Sequence, residues 1–290
     1  MFRFVALTSN RKILINPLIG VDNAIIQLID LNDNIKDKLM LKFLYWNDDY
    51  TNTNVFQWSC RNGHLEVIKW LIETFDDIDV HANNEYAFRC SCVNGHLEVA
   101  KWLVETFDDI DVHVESDEAF KLSCFCGQLE VAKWLVETFD DIDVHVDNEY
   151  AFRCSCVNGH LEVAKWLIET FDDINVHIKN DDAFRWSCKN DQLEVVKWLI
   201  ETFDDINIHV WDDYAFEWSC TRGHLGVSKW LIAITGDIRQ NDDNYLKIAN
   251  NTKLYNLVEY ICDRSPYYQC EYKDGKPIGY SIKEYINVKG

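Results

Sequence analysis

The sequence predicts an all-α solenoid of helix–turn–helix repeats, with a helical N-terminal cap and a small C-terminal β-hairpin. Three observations carry this. Trp70, Trp102, Trp134, Trp166, Trp198 and Trp230 stand 32 residues apart, in step with Phe56, Phe88, Phe120, Phe152, Phe184 and Phe216 and with Cys60, Cys92, Cys124, Cys156, Cys188 and Cys220. Six in-register copies of one supersecondary unit bury a continuous core only by stacking. Within each copy, apolar residues recur at helical spacing on both sides of a turn. At the ends the signature residues disappear while the apolar rhythm persists, as terminal repeats of a stack require.

In chain order, residues 1–54 form the cap. Asp22 to Leu31 and Ile35 to Trp46 predict two helices, and Lys42-Phe43-Leu44 echoes Lys69-Trp70-Leu71. Residues 55–237 hold the six copies. In the copy Tyr86 to Asp117, Ala87 to Cys92 predicts a short helix with Phe88, Cys90 and Cys92 apolar. Asn94-Gly95-His96 ends it, with Gly or Asn supplying a left-handed residue. Leu97 to Glu105 predicts the second helix, its Glu98 in the first turn suiting the helix dipole. Phe107 to His113 is an extended, acidic connection. Residues 238–262 are a degenerate seventh copy, with Leu246, Ile248, Tyr255, Leu257 and Ile261 keeping the rhythm. In the tail, 263–290, Tyr267 to Tyr272 and Ile278 to Ile286 flank Lys273-Asp274-Gly275-Lys276-Pro277, a hairpin signal.

Asn94-Gly95-His96-Leu97-Glu98-Val99, Trp102-Leu103-Val104-Glu105 and Asp109-Ile110-Asp111 resemble the corresponding stretches of the ankyrin repeat. The resemblance spans about Val55 to Asp237. Within that family the chain looks like the Trp-rich arrays of giant DNA viruses. It departs from the family pattern in three ways. The period is one residue shorter than usual. Tyr86-Ala87-Phe88-Arg89 replaces the Thr-Pro-Leu-His tetrapeptide. Phe75, Phe107, Phe139, Phe171 and Phe203 stand where a Gly usually ends the second helix. Phe is poor at positive φ, so that terminus should differ from the family's.

The net charge of −21 opposes direct binding to nucleic acid or to an anionic membrane, and favours partners with basic patches. No run approaches the ~18 apolar residues of a spanning helix, and no stretch near the start reads as a signal peptide. The expectation is a monomer inside the cell, in the cytoplasm (a host's cytoplasm, if the chain is viral). The six periodic cysteines would sit one repeat apart, about 8–10 Å, beyond disulfide reach. They read as small buried hydrophobes in a reducing compartment.

His81, His113, His145, His177 and His209 form a ladder beside Asp79, Asp111 and Asp143, which raises a metal reading. A calcium loop is excluded because Val146 replaces the required Gly and Phe152 the bidentate acid. The favoured reading of the ladder is structural or solvated. A second row, His64, His96, His160 and His224, is interrupted by Gln128 and Gln192, which suits a turn-bonding role. No nucleophile elbow, phosphate loop or Ser/His/Asp arrangement is present. Catalytic residues, metal and cofactor are therefore expected to be none.

Differences among the copies concentrate in two sets. One lies at the finger tips: Tyr86, Glu118, Tyr150, Asp182 and Tyr214, with Trp211 beside the last. The other ends the first helices: Arg61, Val93, Phe125, Val157, Lys189 and Thr221. The ankyrin resemblance places both along a concave groove, and rigid aromatics there suit protein recognition. The expected function is a non-enzymatic scaffold binding a partner protein on that face. Alternatives are an acidic decoy that mimics nucleic acid and sequesters basic proteins, and an adaptor for a ubiquitin or signalling complex.

Overall fold

The computed structural model describes residues 4–8, 11–15, 40–42, 51–235, 238–265 and 267–282, in two compact units divided after Val114. In the first unit, β1 (Phe4–Thr8), β2 (Arg11–Ile15) and β3 (Met40–Lys42) form an antiparallel sheet in the order β2-β1-β3. Two helix pairs follow: α1 (Asn52–Arg61) with α2 (Leu65–Thr74), and α3 (Ala82–Val93) with α4 (Leu97–Thr106). Each first helix packs on its own second helix, and α1 packs on α3.

The sheet corrects the expected helical cap. The predicted helix at 22–31 and most of that at 35–46 lie outside the described residues, but Met40–Lys42 pairs with β1 as a strand. Short apolar runs such as Met40-Leu41 carry no periodicity that separates helix from strand. The 54/55 boundary also cuts α1, which Thr51 caps by accepting from the Asn54 N–H.

The second unit continues the pairs: α5 (Val114–Phe125, beginning at the division) with α6 (Leu129–Thr138), α7 (Val146–Val157) with α8 (Leu161–Thr170), α9 (Ile178–Lys189) with α10 (Leu193–Thr202), and α11 (Val210–Thr221) with α12 (Leu225–Thr235). The degenerate copy is α13 (Ile238–Asn251) with α14 (Tyr255–Arg264). First helices stack side by side, α7 on α9, α9 on α11 and α11 on α13. The tail is an antiparallel hairpin, β4 (Tyr268–Lys273) and β5 (Lys276–Ile282), turning at Asp274-Gly275 and packed on α14.

The periodic residues are the core. Phe56, Phe88, Phe120, Phe152, Phe184 and the six periodic cysteines are essentially inaccessible, and each buried Phe contributes about 1.5–3 kcal/mol. The cysteines are free thiols, and burial pushes Cys90 and Cys220 up to about 12. The turn after the first helix takes a glycine at positive φ, for example Gly127 at +73°. In the fifth copy Asp191 takes the conformation instead, at +62°.

The second helices end as the Phe substitution implies. Phe75, Phe107, Phe139, Phe171 and Phe203 cap them in extended conformation, for example φ −122°, ψ 103° at Phe107. No positive φ is needed. Each Phe ring meets the Trp five residues earlier edge-on, at 5.8 Å for Trp70–Phe75 and 6.0 Å for Trp198–Phe203. Such pairs contribute about 0.5–1.5 kcal/mol beyond their buried area. The indole row is therefore structural.

Candidate partner-binding face

The first helices α3, α5, α7 and α9 are entered through a left-handed turn. Asn83-Asn84-Glu85, Glu115-Ser116-Asp117, Asp147-Asn148-Glu149 and Lys179-Asn180-Asp181 all have φ between +52° and +60°. The left-handed conformation costs roughly 1–2 kcal/mol per non-glycine residue, so these turns must be held by other contacts.

Two devices hold them. The first is the buried carboxylate that ends each turn. Glu149 accepts from His145 Nδ1 at 3.0 Å and from the Asn175 N–H of the next copy at 3.3 Å. Asp181 does the same with His177 (2.7 Å) and Asn207 (3.2 Å), and Glu85 binds His81 at 2.7 Å. The second is a cation one turn into the helix. Arg153 donates through Nε and Nη2 to the carbonyls of Asn148 and Asp147, at 2.7 and 3.1 Å. Arg89 and Arg185 repeat this pattern, and Lys121 donates to the Glu115 carbonyl.

The histidine ladder is thereby built into the fold. The outer nitrogens of His81, His145 and His177 lie 3.4, 3.3 and 3.2 Å from Asp109, Asp173 and Asp205. The Asp79, Asp111 and Asp143 carboxylates accept from the backbone N–H two residues on. The Glu85 hydrogen bond raises the His81 pKa against a smaller opposing effect of burial, with help from the charges of Glu85, Asp109 and Asp79. For His145, burial opposes charging, but the Glu149 hydrogen bond and the charges of Glu149, Asp173 and Asp143 outweigh it and raise the value. Among the described residues no group of three or more His, Cys, Asp or Glu could hold a metal ion. The other histidine row bonds turns: His96 Nε2 donates to the Arg61 carbonyl at 3.0 Å and His224 Nε2 to that of Lys189 at 2.9 Å.

The residues expected to contact a partner fall into different settings. Trp211 is 55% exposed and Phe125 38%. Arg61 and Thr221 are exposed, and Tyr86, Glu118, Tyr150, Tyr214, Val93 and Val157 are half-buried. Two depart from the expected free surface. Asp182 is 9% exposed because Arg153 and Arg185 pair with it at 2.8 and 3.1 Å. Lys189 is 8% exposed because its ammonium lies between the rings of Trp186 and Trp218, at 3.9 and 3.8 Å.

Within the second unit the structure gathers several of these residues. Arg185 lies 3.8 Å over the Trp211 ring, Trp211 meets Tyr214 edge-on at 5.6 Å, and Tyr214 lies 5.7 Å from Trp218. Arg153, Arg185, Trp186 and Trp218 were missed by the sequence reading. The signal was present in two further variable positions. One reads Gln57, Arg89, Lys121, Arg153, Arg185 and Glu217; the other reads Trp58, Cys90, Leu122, Cys154, Trp186 and Trp218.

The model of the family described as "Ankyrin repeats (3 copies)" matches residues 23–116, 57–148 and 120–212. The chain belongs to the ankyrin-repeat family. No curated protein matches its sequence. Among solved structures 104 chains match. One is the crystal structure of the human ASB11 ankyrin repeat domain, 18% identical, covering 63% of this chain and 85% of that one with a TM-score of 0.48. Ankyrin arrays are protein–protein interaction modules and typically non-catalytic scaffolds. No described helix is long and apolar enough to cross a membrane.

Proposed function

We propose that this ankyrin array is a monomeric, non-enzymatic scaffold that binds a partner protein with the tips and first-helix face, the surface that is concave in ankyrin arrays. The observation that carries this is the set of aromatics on the tips and first helices of the second unit, exposed Phe125 and above all Trp211 with half-buried Tyr150 and Tyr214, and half-buried Tyr86 at a tip of the first unit. Rigid aromatic side chains supply most of the energy at protein interfaces. Arg61, Val93, Val157 and Thr221 complete the surface, and Glu118 adds charge at a tip.

Exposed acidic doublets, Asp76-Asp77, Asp108-Asp109, Asp140-Asp141, Asp172-Asp173 and Asp204-Asp205, border the second helices. They would steer a partner bearing a basic patch, which fits a location inside the cell. The same doublets favour a second reading, an acidic decoy for basic proteins. Salt separates the two: a decoy would capture many basic proteins and release them all as ionic strength rises.

The direct test changes Tyr86, Tyr150, Trp211 and Tyr214 together to Ala and repeats affinity capture. Loss of a specific captured protein at an unchanged melting temperature is expected; undiminished capture would place the interface elsewhere.

A further inference from the structure

This inference rests on the reading of the first-helix face as the binding face and names what the last two full repeats hold there. Two groups of cations on the first-helix side of the second unit contrast. Arg153 and Arg185 are saturated: they bind turn carbonyls and share Asp182, and Arg185 is 2% exposed. Lys121 is likewise bound, to Asp147 at 2.7 Å. Lys189 and Arg222 differ. Among the described residues, neither makes an ion pair or donates a side-chain hydrogen bond. Their neighbours are rings: Trp186 and Trp218 enclose the Lys189 ammonium, and the Arg222 guanidinium lies 5.8 Å from Trp218. Burial first, then the Arg222 charge, lowers the Lys189 pKa. In a chain of net charge −21, these two adjacent cations meet rings and no paired anion.

A second observation lies beside them. Trp211 occupies the first position of the left-handed turn, at φ +53°, where the other copies carry Asn83, Glu115, Asp147 and Lys179. A bulky residue there is a backbone outlier, and such strain concentrates at ligand clamps. The turn sets an accessible indole against Tyr214, which leads on to Trp218.

We propose that Lys189 and Arg222, walled by Trp186 and Trp218, receive a carboxylate from an acidic segment of a partner protein, while Trp211 and Tyr214 cover apolar side chains of the same segment. The ammonium supplies a point charge and the guanidinium a planar fork for the two oxygens. Desolvated indole walls strengthen both interactions. A peptide places single carboxylates at intervals. A polynucleotide would bring continuous charge against exposed acids such as Asp204 and Asp205, which repel it.

The test pans a phage-displayed library of random linear peptides against the full chain and against Lys189→Met. Methionine keeps an unbranched stem between the rings and strands no buried anion, since Lys189 pairs with none among the described residues; an unchanged melting temperature verifies that the fold tolerates it. Peptides rich in Asp and Glu are expected from the unaltered chain. A synthetic copy should bind about tenfold or more weakly to Lys189→Met and to Arg222→Gln, as loss of a charged hydrogen bond implies, and should shift the indole emission of the unaltered chain. Three results would overturn the assignment: no selected peptide, selection without acidic bias, or equal binding by the variants. Tighter Lys189-dependent binding of a synthetic oligonucleotide would overturn it as well. Enrichment of basic peptides would also sink it while leaving the protein-binding reading of this face intact.

Discussion

The fourth and sixth copies share one frame and use it differently. In α7 the turn Asp147 to Glu149 is held twice, by the Glu149 carboxylate on His145 and Asn175 and by Arg153 on the turn carbonyls. In α11 Glu217 stands in place of the arginine, and the turn relies on Asp213, bound by His209 at 2.6 Å and by the Tyr245 hydroxyl at 3.3 Å. The buried acid is thus the element both copies share. The arginine is the one a copy can lose. Where α7 presents Asp147 at the first turn position, α11 presents Trp211, which stacks on Arg185 of the neighbouring copy.

Removing the shared element should have the largest effect. Glu149→Ala removes the buried carboxylate's bonds to His145 Nδ1 and the Asn175 N–H, and loss of these charged hydrogen bonds predicts about 1.5–3 kcal/mol in urea unfolding. Asp213→Ala should cost more than Glu149→Ala because no arginine backs it up, and equal losses would show that the clamp contributes nothing. Next, Arg153→Met should cost about 1–3 kcal/mol by releasing two turn carbonyls and Asp182. In copy six, Glu217→Arg should raise the melting temperature.

A glycine pair sharpens the comparison on a smaller scale. A Cβ on Gly127 would lie 2.5 Å from the His160 ring, whereas one on Gly223 meets nothing within 4 Å. Both positions have positive φ, so Gly223→Ala should cost only the conformational strain of about 1 kcal/mol, and Gly127→Ala measurably more.

The smallest effect is on pH. The folded pKa values of His81 and His145 are raised, so their stabilisation is complete below the ordinary value of about 6.5 and is lost as pH rises through the raised values. The melting temperature should therefore decline from mildly acidic to mildly alkaline pH. The double variant His81→Asn, His145→Asn should flatten that decline; an unchanged slope would assign it to other groups.

Much of this architecture is visible in the residues themselves. Phe107 in place of a helix-ending Gly forecast an extended exit, and Gly95 forecast the turn. The left-handed entry was not visible because Asn, Ser, Glu and Lys also suit an ordinary loop. Its three positive φ values follow from contacts to Arg153 and from the next copy, which no local pattern encodes. The N-terminal strand pair left a readable sign that was passed over: Phe4 to Leu7 and Ile13 to Ile15 are short apolar runs on either side of Ser9-Asn10. Of the proposed contacts, Trp211 was identified by its contrast with the other copies. Asp182 and Lys189 looked equally variable, but only the folded structure shows that Asp182 answers Arg153 and Arg185 and that Lys189 sits between two indoles.

Hydrogen exchange of the chain, free and with its captured partner, tests most directly whether the first-helix face does the binding. Protection is expected over residues 209–222 and the end of α9, with little change across α10 and α12. Protection confined to α10 and α12, with α9 and α11 unchanged, would contradict the account.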